Sequence, residues 1–199
     1  MRVVTALRAQ GRGHVAVELD GAPWRTLPLE PVVRCGLAVG EPLDRPRARA
    51  LAQELRRTRA LATAGRALRR RDHSARSLDA RLERAGVPPV ERRETVETLQ
   101  RVGLVDDERF AAARAAALAD RGYGDAAIRW DLERRGIAPE AVADAVDSLP
   151  PEAERARAVA ARRGGGAATA RLLARRGFGD DAVEAVLTDG GAEAPGTVG

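Results

Sequence analysis

The sequence predicts a mainly α-helical protein. We expect three tandem three-helix repeats that form a curved helical solenoid, preceded by a small N-terminal β-hairpin or sheet. Hydrophobic residues make up 44% of the 199-residue chain and aromatic residues only 3%. The core must therefore be built mostly from Leu, Val and Ala, and alanine at this density favours helix. From Pro46 to about Asp189 the pattern is helical, and a leucine–glycine motif recurs three times within that stretch.

The first 45 residues have the pattern of short strands. The stretches RVVTALRAQ and HVAVELDG are rich in β-branched residues, alternate roughly in polarity and are separated by GRG. The stretch DGAPWRTLPL supplies a turn and a third strand. A short helical turn, EPVVRCGLAVGEPLD, follows and ends at glycines. We therefore predict a small antiparallel β element in residues 1–45.

The helical region begins directly after this element. Asp44 is placed to cap the first helix, and Pro46 lies in its first turn, where the missing N–H does no harm. At the other end, residues 190–199 are rich in Gly and Pro and show no apolar periodicity. We predict a disordered tail there.

An internal repeat organises the helical region. In each copy a leucine lies four residues before a glycine, and one apolar residue follows that glycine. The copies are LDARLERAGV, IRWDLERRGI and TARLLARRGF, with the pairs Leu82 and Gly86, Leu132 and Gly136, and Leu173 and Gly177. Successive leucines are 50 and 41 residues apart, and periods in this range indicate stacked helical repeats.

Each copy has the chemistry of a helix end. Basic residues suit the negative end of the helix dipole, and Gly86, Gly136 and Gly177 can each take the left-handed C′ conformation at little steric cost. With one helix before it and one after it, each copy becomes a three-helix unit that must stack on its neighbours. The predicted divisions are residues 46–105 for repeat one with its leading helix, 106–150 for repeat two and 151–189 for repeat three.

The motif GLVDDERFAAARA places Asp106, Asp107 and Glu108 side by side. Three adjacent carboxylates could hold a divalent metal or serve acid/base chemistry, but no further carboxylate motif accompanies them. Gly103 ends one helix, and Asp106 or Asp107 is placed to cap the next. The remaining carboxylates then lie in a first turn, where negative charge is favoured. We predict a structural helix cap with no catalytic residue, cofactor site or metal site.

Few other residues could take part in catalysis or metal binding. Cys35 is the single cysteine, so no internal disulfide can form, and a reducing compartment fits. No stretch is apolar for long enough to span a membrane, and the N-terminus does not read as a signal peptide. We expect a cytoplasmic protein. Phe110 and Trp130 are predicted to lie in the core, and Tyr123 to be exposed.

The charge is unevenly distributed. All 34 basic residues are arginine, and the net charge is +5. Residues 46–105 carry a net charge of +8 and residues 106–150 one of −4, whereas residues 1–45 carry +1 and residues 151–199 are neutral. The densest basic run is a candidate surface for DNA or a protein partner, although solvated helix faces would give the same counts. It consists of Arg66, Arg69, Arg70, Arg71 and Arg76.

Three consecutive stretches carry a family resemblance. They are RRRDHSARSLDARLERAGV, VETLQRVGLVDDERFAAARA and RGYGDAAIRWDLERRGIAPEAVADAV, and in this order and spacing they closely resemble the RecX regulatory proteins. The resemblance is strong from Arg69 to Val146 and weaker through ARLLARRGFGDDAVEAVL. Residues 1–45 resemble the N-terminal strands of some members. Ser77 departs from the pattern, since an acidic residue often stands at this position.

The resemblance implies a regulator without catalytic activity. RecX proteins bind the RecA filament on single-stranded DNA, inhibit its ATPase and strand-exchange activities, and limit recombination and the SOS response. It implies the RecA nucleoprotein filament as partner, with possible direct contact with DNA, and we expect a monomer. Two other functions stay open: a helical module that binds DNA or RNA directly, and a metal-dependent hydrolase built on Asp106 and Asp107.

Overall fold

The computed structural model describes residues 2–191, the last three of them through their backbone only. These residues form a small antiparallel sheet followed by α-helices, which confirms the predicted mainly α fold. The strands are β1 (Arg2–Gln10), β2 (His14–Leu19), β3 (Ala22–Pro28) and β4 (Pro42–Leu43). The helices are α1 (Leu29–Arg34), α2 (Arg45–Leu68), α3 (Ala75–Arg84), α4 (Pro89–Arg101), α5 (Asp107–Asp120), α6 (Asp125–Arg134), α7 (Pro139–Asp147), α8 (Glu152–Arg163), α9 (Ala167–Arg175) and α10 (Asp180–Gly191). Within this part of the chain, no helix has both the length and the hydrophobicity needed to cross a membrane.

The described residues fall into two compact units. Unit 1 contains residues 2–70 and 79–99, and unit 2 contains residues 71–78 and 100–191. Helices α2, α5 and α8 begin at Arg45, Asp107 and Glu152, next to the predicted repeat boundaries. The division into three repeats stays a prediction.

The sheet of unit 1 has the strand order β3–β2–β1–β4, with all pairs antiparallel. Asp20 and Gly21 connect β2 to β3 and have φ values of 52° and 81°. Positive φ at both loop residues is typical of the type I′ turn that favours Asp-Gly. The short strand β4, which pairs with the start of β1, was not predicted from the sequence.

The core of unit 1 joins the sheet to the first two helices. Val4, Val17 and Leu19 of the sheet pack with Val32 of α1 and Leu51 of α2. Asp44 caps α2, because its Oδ1 accepts a hydrogen bond from the backbone N–H of Arg47 at 2.8 Å. The sequence predicted a leading helix and a separate first helix of repeat one, but the structure has a single 24-residue helix, α2, in their place.

Unit 2 contains two hydrophobic clusters, each made by three helices. The cluster of α5, α6 and α7 includes Ala111, Ile128 and Leu132. The cluster of α8, α9 and α10 includes Leu173 and Phe178. The small residues along α5 let its neighbours approach closely, which suits a core with few aromatic side chains.

The three motif glycines end α3, α6 and α9 in the same geometry. Gly86, Gly136 and Gly177 have φ values of 73°, 74° and 78°. In each case the apolar residue after the glycine donates its N–H to the carbonyl of the motif leucine. These bonds are Val87 to Leu82 (3.0 Å), Ile137 to Leu132 (3.3 Å) and Phe178 to Leu173 (3.2 Å). The pattern is the Schellman motif, and all three leucines are fully buried.

Helix ends meet within unit 2. At the start of α6, Gly124 N–H donates to Arg176 O at 2.9 Å and Ala126 N–H donates to Gly177 O at 3.1 Å, at the end of α9. At the start of α3, Ser74 Oγ donates to Arg135 O at 2.9 Å, at the end of α6. The negative end of one helix dipole therefore contacts the positive end of the next, which is favourable.

Several details differ from the sequence predictions. Trp130 is 57% exposed, not buried, because Ile128 and Leu132 occupy the inner face of α6 and the residue between them points outward. Tyr123 is half-buried against the α5–α7 cluster, not exposed. Gly190 and Gly191 belong to α10, so the predicted tail begins too early, and residues 192–199 lie outside the described residues.

Candidate anion-binding site

A groove lined by four arginines lies between α2 and α3 in unit 1. We call it the α2–α3 arginine groove, and its volume is about 260 Å3. Its lining residues are Arg59, Thr63, Arg66, Arg70, Arg81 and Ala85. The first four are spaced i, i+4, i+7 and i+11 along α2 and just beyond its end, so they form one stripe on that helix.

The groove carries uncompensated positive charge. No carboxylate lines it, and none of its four arginines takes part in an ion pair within the described residues. Thr63 orients part of it, because its hydroxyl accepts from Arg66 Nη2 at 3.0 Å and donates to Arg59 O at 2.8 Å. Guanidinium groups match the geometry of phosphate and carboxylate oxygens, so the groove suits an anionic partner.

The five arginines of the basic run predicted from the sequence do not all lie at one site in the structure. Arg66 and Arg70 line the α2–α3 arginine groove, whereas Arg69 is the C-cap residue of α2 and lies outside it. Arg71 and Arg76 belong to unit 2. The stem of Arg76 covers Gly136, since a Cβ added to that glycine would lie 2.4 Å from Arg76 Cδ.

Sequence reasoning missed Arg59 and Arg81. The helical spacing from Arg59 through Thr63 to Arg66 was visible and could have identified Arg59. Arg81 lies on another helix and joins the groove only through packing, so no local signal marks it.

Unit 2 contains a second basic groove, with a volume of about 440 Å3. It is lined by Asp120, Arg121, Gly122, Val159, Arg162, Arg163 and Arg176. One of these arginines also has a structural role, because Arg176 Nη1 donates hydrogen bonds to Arg121 O at 3.1 Å and to Gly122 O at 3.3 Å. The neutral overall charge of residues 151–199 concealed this groove at the sequence level.

The three adjacent carboxylates, Asp106, Asp107 and Glu108, lie in different environments. Asp106 caps α5, its Oδ1 accepting from Arg109 N–H at 2.9 Å. Asp107 Oδ1 instead accepts from Ala75 N–H at 2.8 Å, so it caps α3. Glu108 is exposed. Among residues 2–191, no group of three or more His, Cys, Asp or Glu side chains could hold a metal ion.

Ser74 is the N-cap of α3, and Ser77 stands where a capping box has an acidic residue. Its N–H donates to Ser74 Oγ at 3.2 Å, and its own hydroxyl donates to Ser74 O at 3.0 Å. The reciprocal bond to the N-cap N–H, which an acidic residue would make, is replaced by a bond to the N-cap carbonyl.

Asp131 forms a paired network with two arginines. Arg114 donates to it at 2.8 and 3.0 Å, and Arg135 donates at 2.8 and 3.2 Å. The hydrogen bond from Arg114, together with that from Arg135, holds the pKa of the Asp131 carboxyl far below its usual range. The network joins α5 to α6, and Arg114 was not identifiable from the sequence because it lies 17 residues away.

Arg155 is a buried cation with a structural role. Its guanidinium donates to Pro150 O and to Tyr123 O, both at 3.0 Å, and it also pairs with Asp125. This side chain ties α8 to the start of α6. Because its donors face inward, it does not contribute to either basic groove.

Residues 106–146 match the family model for the second three-helix domain of RecX. Over these residues the chain is similar to the RecX proteins. The matched residues are those of α5, α6 and α7, so the Asp131 network and the α5 cap lie inside the RecX domain, whereas the α2–α3 arginine groove lies outside that match.

Relatives and solved structures agree with this match. The regulatory protein RecX of Xanthomonas campestris pv. campestris (strain B100) is 38% identical over 77 residues, which cover 39% of this chain and 48% of the relative. That of Stenotrophomonas maltophilia (strain R551-3) is 35% identical over 79 residues, 40% of this chain and 48% of the relative. The chain thus spans about half the length of the relatives it matches.

Two solved RecX structures show the fold. A crystal structure of regulatory protein RecX has a TM-score of 0.79 and 21% identity, covering 95% of this chain and all of its own. The RecX structure from Lactobacillus salivarius has a TM-score of 0.59 and 16% identity, covering 68% of this chain and 97% of its own. At these identities the likeness establishes the RecX fold alone.

Proposed function

We propose that the protein is a RecX-type regulator of RecA. It binds the RecA filament on single-stranded DNA, inhibits the ATPase and strand-exchange activities of that filament, and so modulates recombination and the SOS response. It acts by binding, without catalysis, as a cytoplasmic monomer. The relationship to proteins named regulatory protein RecX supports the regulatory role.

The observation that carries the proposal is the α2–α3 arginine groove. Its four arginines have no carboxylate partner among the described residues, and such a concentration of exposed like charge is unfavourable in the free protein. A nucleoprotein filament presents DNA phosphates together with protein carboxylates. Either group would relieve the repulsion by making charge-assisted hydrogen bonds to the guanidinium groups.

The second candidate function is direct binding of DNA or RNA without RecA. The second basic groove favours it, because four arginines and a single carboxylate line it. A positively charged groove can follow the phosphate backbone of a single strand. This alternative predicts that binding to nucleic acid alone accounts for the protein's effects.

The deciding experiment is RecA-dependent ATP hydrolysis on single-stranded DNA. We expect this protein to inhibit hydrolysis at well below one molecule per RecA protomer. A variant with Arg59, Arg66, Arg70 and Arg81 changed to Gln should inhibit less. The matched control changes four exposed arginines outside the groove, Arg2, Arg45, Arg49 and Arg101, to Gln and loses the same charge.

The outcomes separate the two functions. Inhibition that appears only when the protein is abundant enough to cover the DNA would favour direct nucleic-acid binding. The absence of any inhibition would refute the proposed function. Equal loss in the groove variant and in the control would show that total charge matters and the groove does not.

A further inference from the structure

We propose that Trp130 and its neighbours form a stacking site for one base of single-stranded DNA. We call this surface the Trp130 platform, and it consists of Trp130, Asp131, Arg134 and Arg135, which line a cavity of about 350 Å3. The inference deepens the proposed function and rests on it for the presence of single-stranded DNA. It concerns a direct contact that can be measured without RecA.

The first observation is the exposure of the ring. The chain has five aromatic residues, and the other four are buried or half-buried. Trp130 is 57% exposed and contributes to neither hydrophobic cluster of unit 2. Large exposed aromatic side chains are costly in water and are enriched where a protein binds a partner.

The second observation is the charge around the ring. The Arg134 guanidinium lies 4.5 Å from the centroid of the Trp130 ring, and no carboxylate pairs with Arg134 in the part of the chain that the structure describes. Asp131 is neutralised by Arg135 and Arg114 together. The four platform residues therefore carry a net positive charge, with one carboxylate and two guanidinium groups.

Together these features match a nucleotide better than a protein segment. A base offers a flat face for the indole ring and the guanidinium plane, and its phosphate offers a counter-charge for Arg134. The other three residues that line this cavity are charged, whereas the centre of a protein interface is apolar. An acidic peptide would satisfy the arginines but leave the ring face uncovered.

The platform is held in a fixed orientation by its helix. Ile128 and Leu132, on either side of Trp130 in α6, are fully buried. The Asp131 network holds the next residue against α5. The ring therefore projects from a rigid element, which lowers the entropic cost of binding.

The test uses Trp130 as its own reporter. Trp24→Phe in the full-length chain leaves Trp130 as the sole tryptophan, and an oligonucleotide of about 20 thymidines is the probe. We expect saturable quenching of Trp130 fluorescence, because a stacked base lies against the indole ring. Trp130→Ala should weaken binding of the same probe by about 5- to 150-fold, the range for loss of one stacked base. Trp130→Phe should lose less affinity.

An abasic oligonucleotide of equal length and charge is the matched control probe. It should quench Trp130 little, and the wild-type and Trp130→Ala proteins should bind it equally. Equal quenching by both probes, or wild-type affinity of Trp130→Ala for the thymidine probe, would overturn the proposal. Because the side chain is exposed, circular dichroism and thermal unfolding of the variants should match the wild type.

A RecA ATPase assay run in parallel separates the two claims. Inhibition of RecA without quenching by the thymidine probe refutes the stacking site and leaves the proposed function standing. Quenching without inhibition supports the stacking site and refutes the proposed function. Quenching that RecA protein causes in the absence of DNA, with none from the probe, would assign the platform to a protein partner and overturn this inference.

Discussion

The backbone N–H of Gly124 donates to the carbonyl oxygen of Arg176 at 2.9 Å, although the two residues are far apart in the chain. A Cβ added to Gly124 would lie 2.2 Å from Gly177 O. The start of α6 can approach the end of α9 this closely only because residue 124 has no side chain.

We therefore predict that Gly124→Ala lowers the free energy of unfolding by about 2 to 3 kcal/mol. Urea unfolding measures the change. Gly65→Ala is the control, because Gly65 lies inside α2 and its added Cβ would meet only Arg69 Nη1, at 3.6 Å. That substitution should raise stability by about 0.5–1 kcal/mol, as expected for glycine within a helix. Equal stability of Gly124→Ala and wild type would show that the two helix ends do not depend on this contact.

A second prediction compares two of the motif glycines. Gly136→Val and Gly86→Val both force a β-branched residue to positive φ, at a cost of about 1–3 kcal/mol. The added side chain at 136 also meets Arg76, whereas a Cβ at 86 meets nothing within 4 Å. Gly136→Val should therefore cost more in thermal unfolding, and adding Arg76→Ala should narrow the difference. A larger cost at Gly86 would contradict the packing of Arg76 over Gly136.

The third prediction concerns the two adjacent aspartates. Asp106→Ala removes the cap of α5 and Asp107→Ala removes a bond to the start of α3, and each should cost about 1 kcal/mol of stability. RecA inhibition by the double variant should remain near the wild-type level at a temperature where it is folded. Complete loss of inhibition by the folded double variant would mean that the carboxylates act in function and not only as caps.

The fourth prediction concerns pH and Asp131. Its pKa is lower in the folded protein than the value of about 3.9 in the unfolded chain, so its ionisation stabilises the fold above that value. This contribution is lost as the pH falls towards the folded-state pKa. Asp131→Asn should therefore be clearly less stable than wild type at pH 7, and the difference should shrink below about pH 4. Urea midpoints at several pH values measure it, and a pH-independent difference would argue against the ionic network.

The fifth prediction separates the α2–α3 arginine groove from the basic run seen in the sequence. Changing Arg59, Arg66, Arg70 and Arg81 to Gln should weaken binding to the RecA filament and lower its salt dependence. Changing Arg69, Arg71 and Arg76 to Gln should have the smaller effect on affinity. Filament binding at several salt concentrations measures both effects. A larger loss from the second set would place the contact along the sequence cluster.

The sequence predicted those features whose causes are local. Asp44 was identified as a cap and Pro46 as a first-turn residue because capping depends on a few neighbouring positions. The helix ends at the motif leucines were predictable for the same reason, because a buried leucine and a left-handed glycine four residues apart define one helix end. Strand β4 has only two residues and carries no comparable pattern.

The candidate site was only partly predictable because it depends on packing between helices. Arg81 reaches the α2–α3 arginine groove from a different helix, and Arg114 pairs with Asp131 across two helices. Charge counted along the chain brought together Arg69, Arg71 and Arg76, which do not line that groove. The helical repeat pattern indicates that Trp130 lies on a helix, but its exposure depends on Ile128 and Leu132, which occupy the inner face of α6.

The contact between the start of α6 and the end of α9 also affects how the number of helical units in such a chain can change. Two bonds of the α6–α9 contact, from Gly124 N–H to Arg176 O and from Ala126 N–H to Gly177 O, use backbone atoms only, so a copied unit can make the same bonds. The start of α9 has Gly166 as its N-cap, and no side chain caps it. Tandem duplication can therefore change the number of units while leaving the existing surfaces almost unaltered.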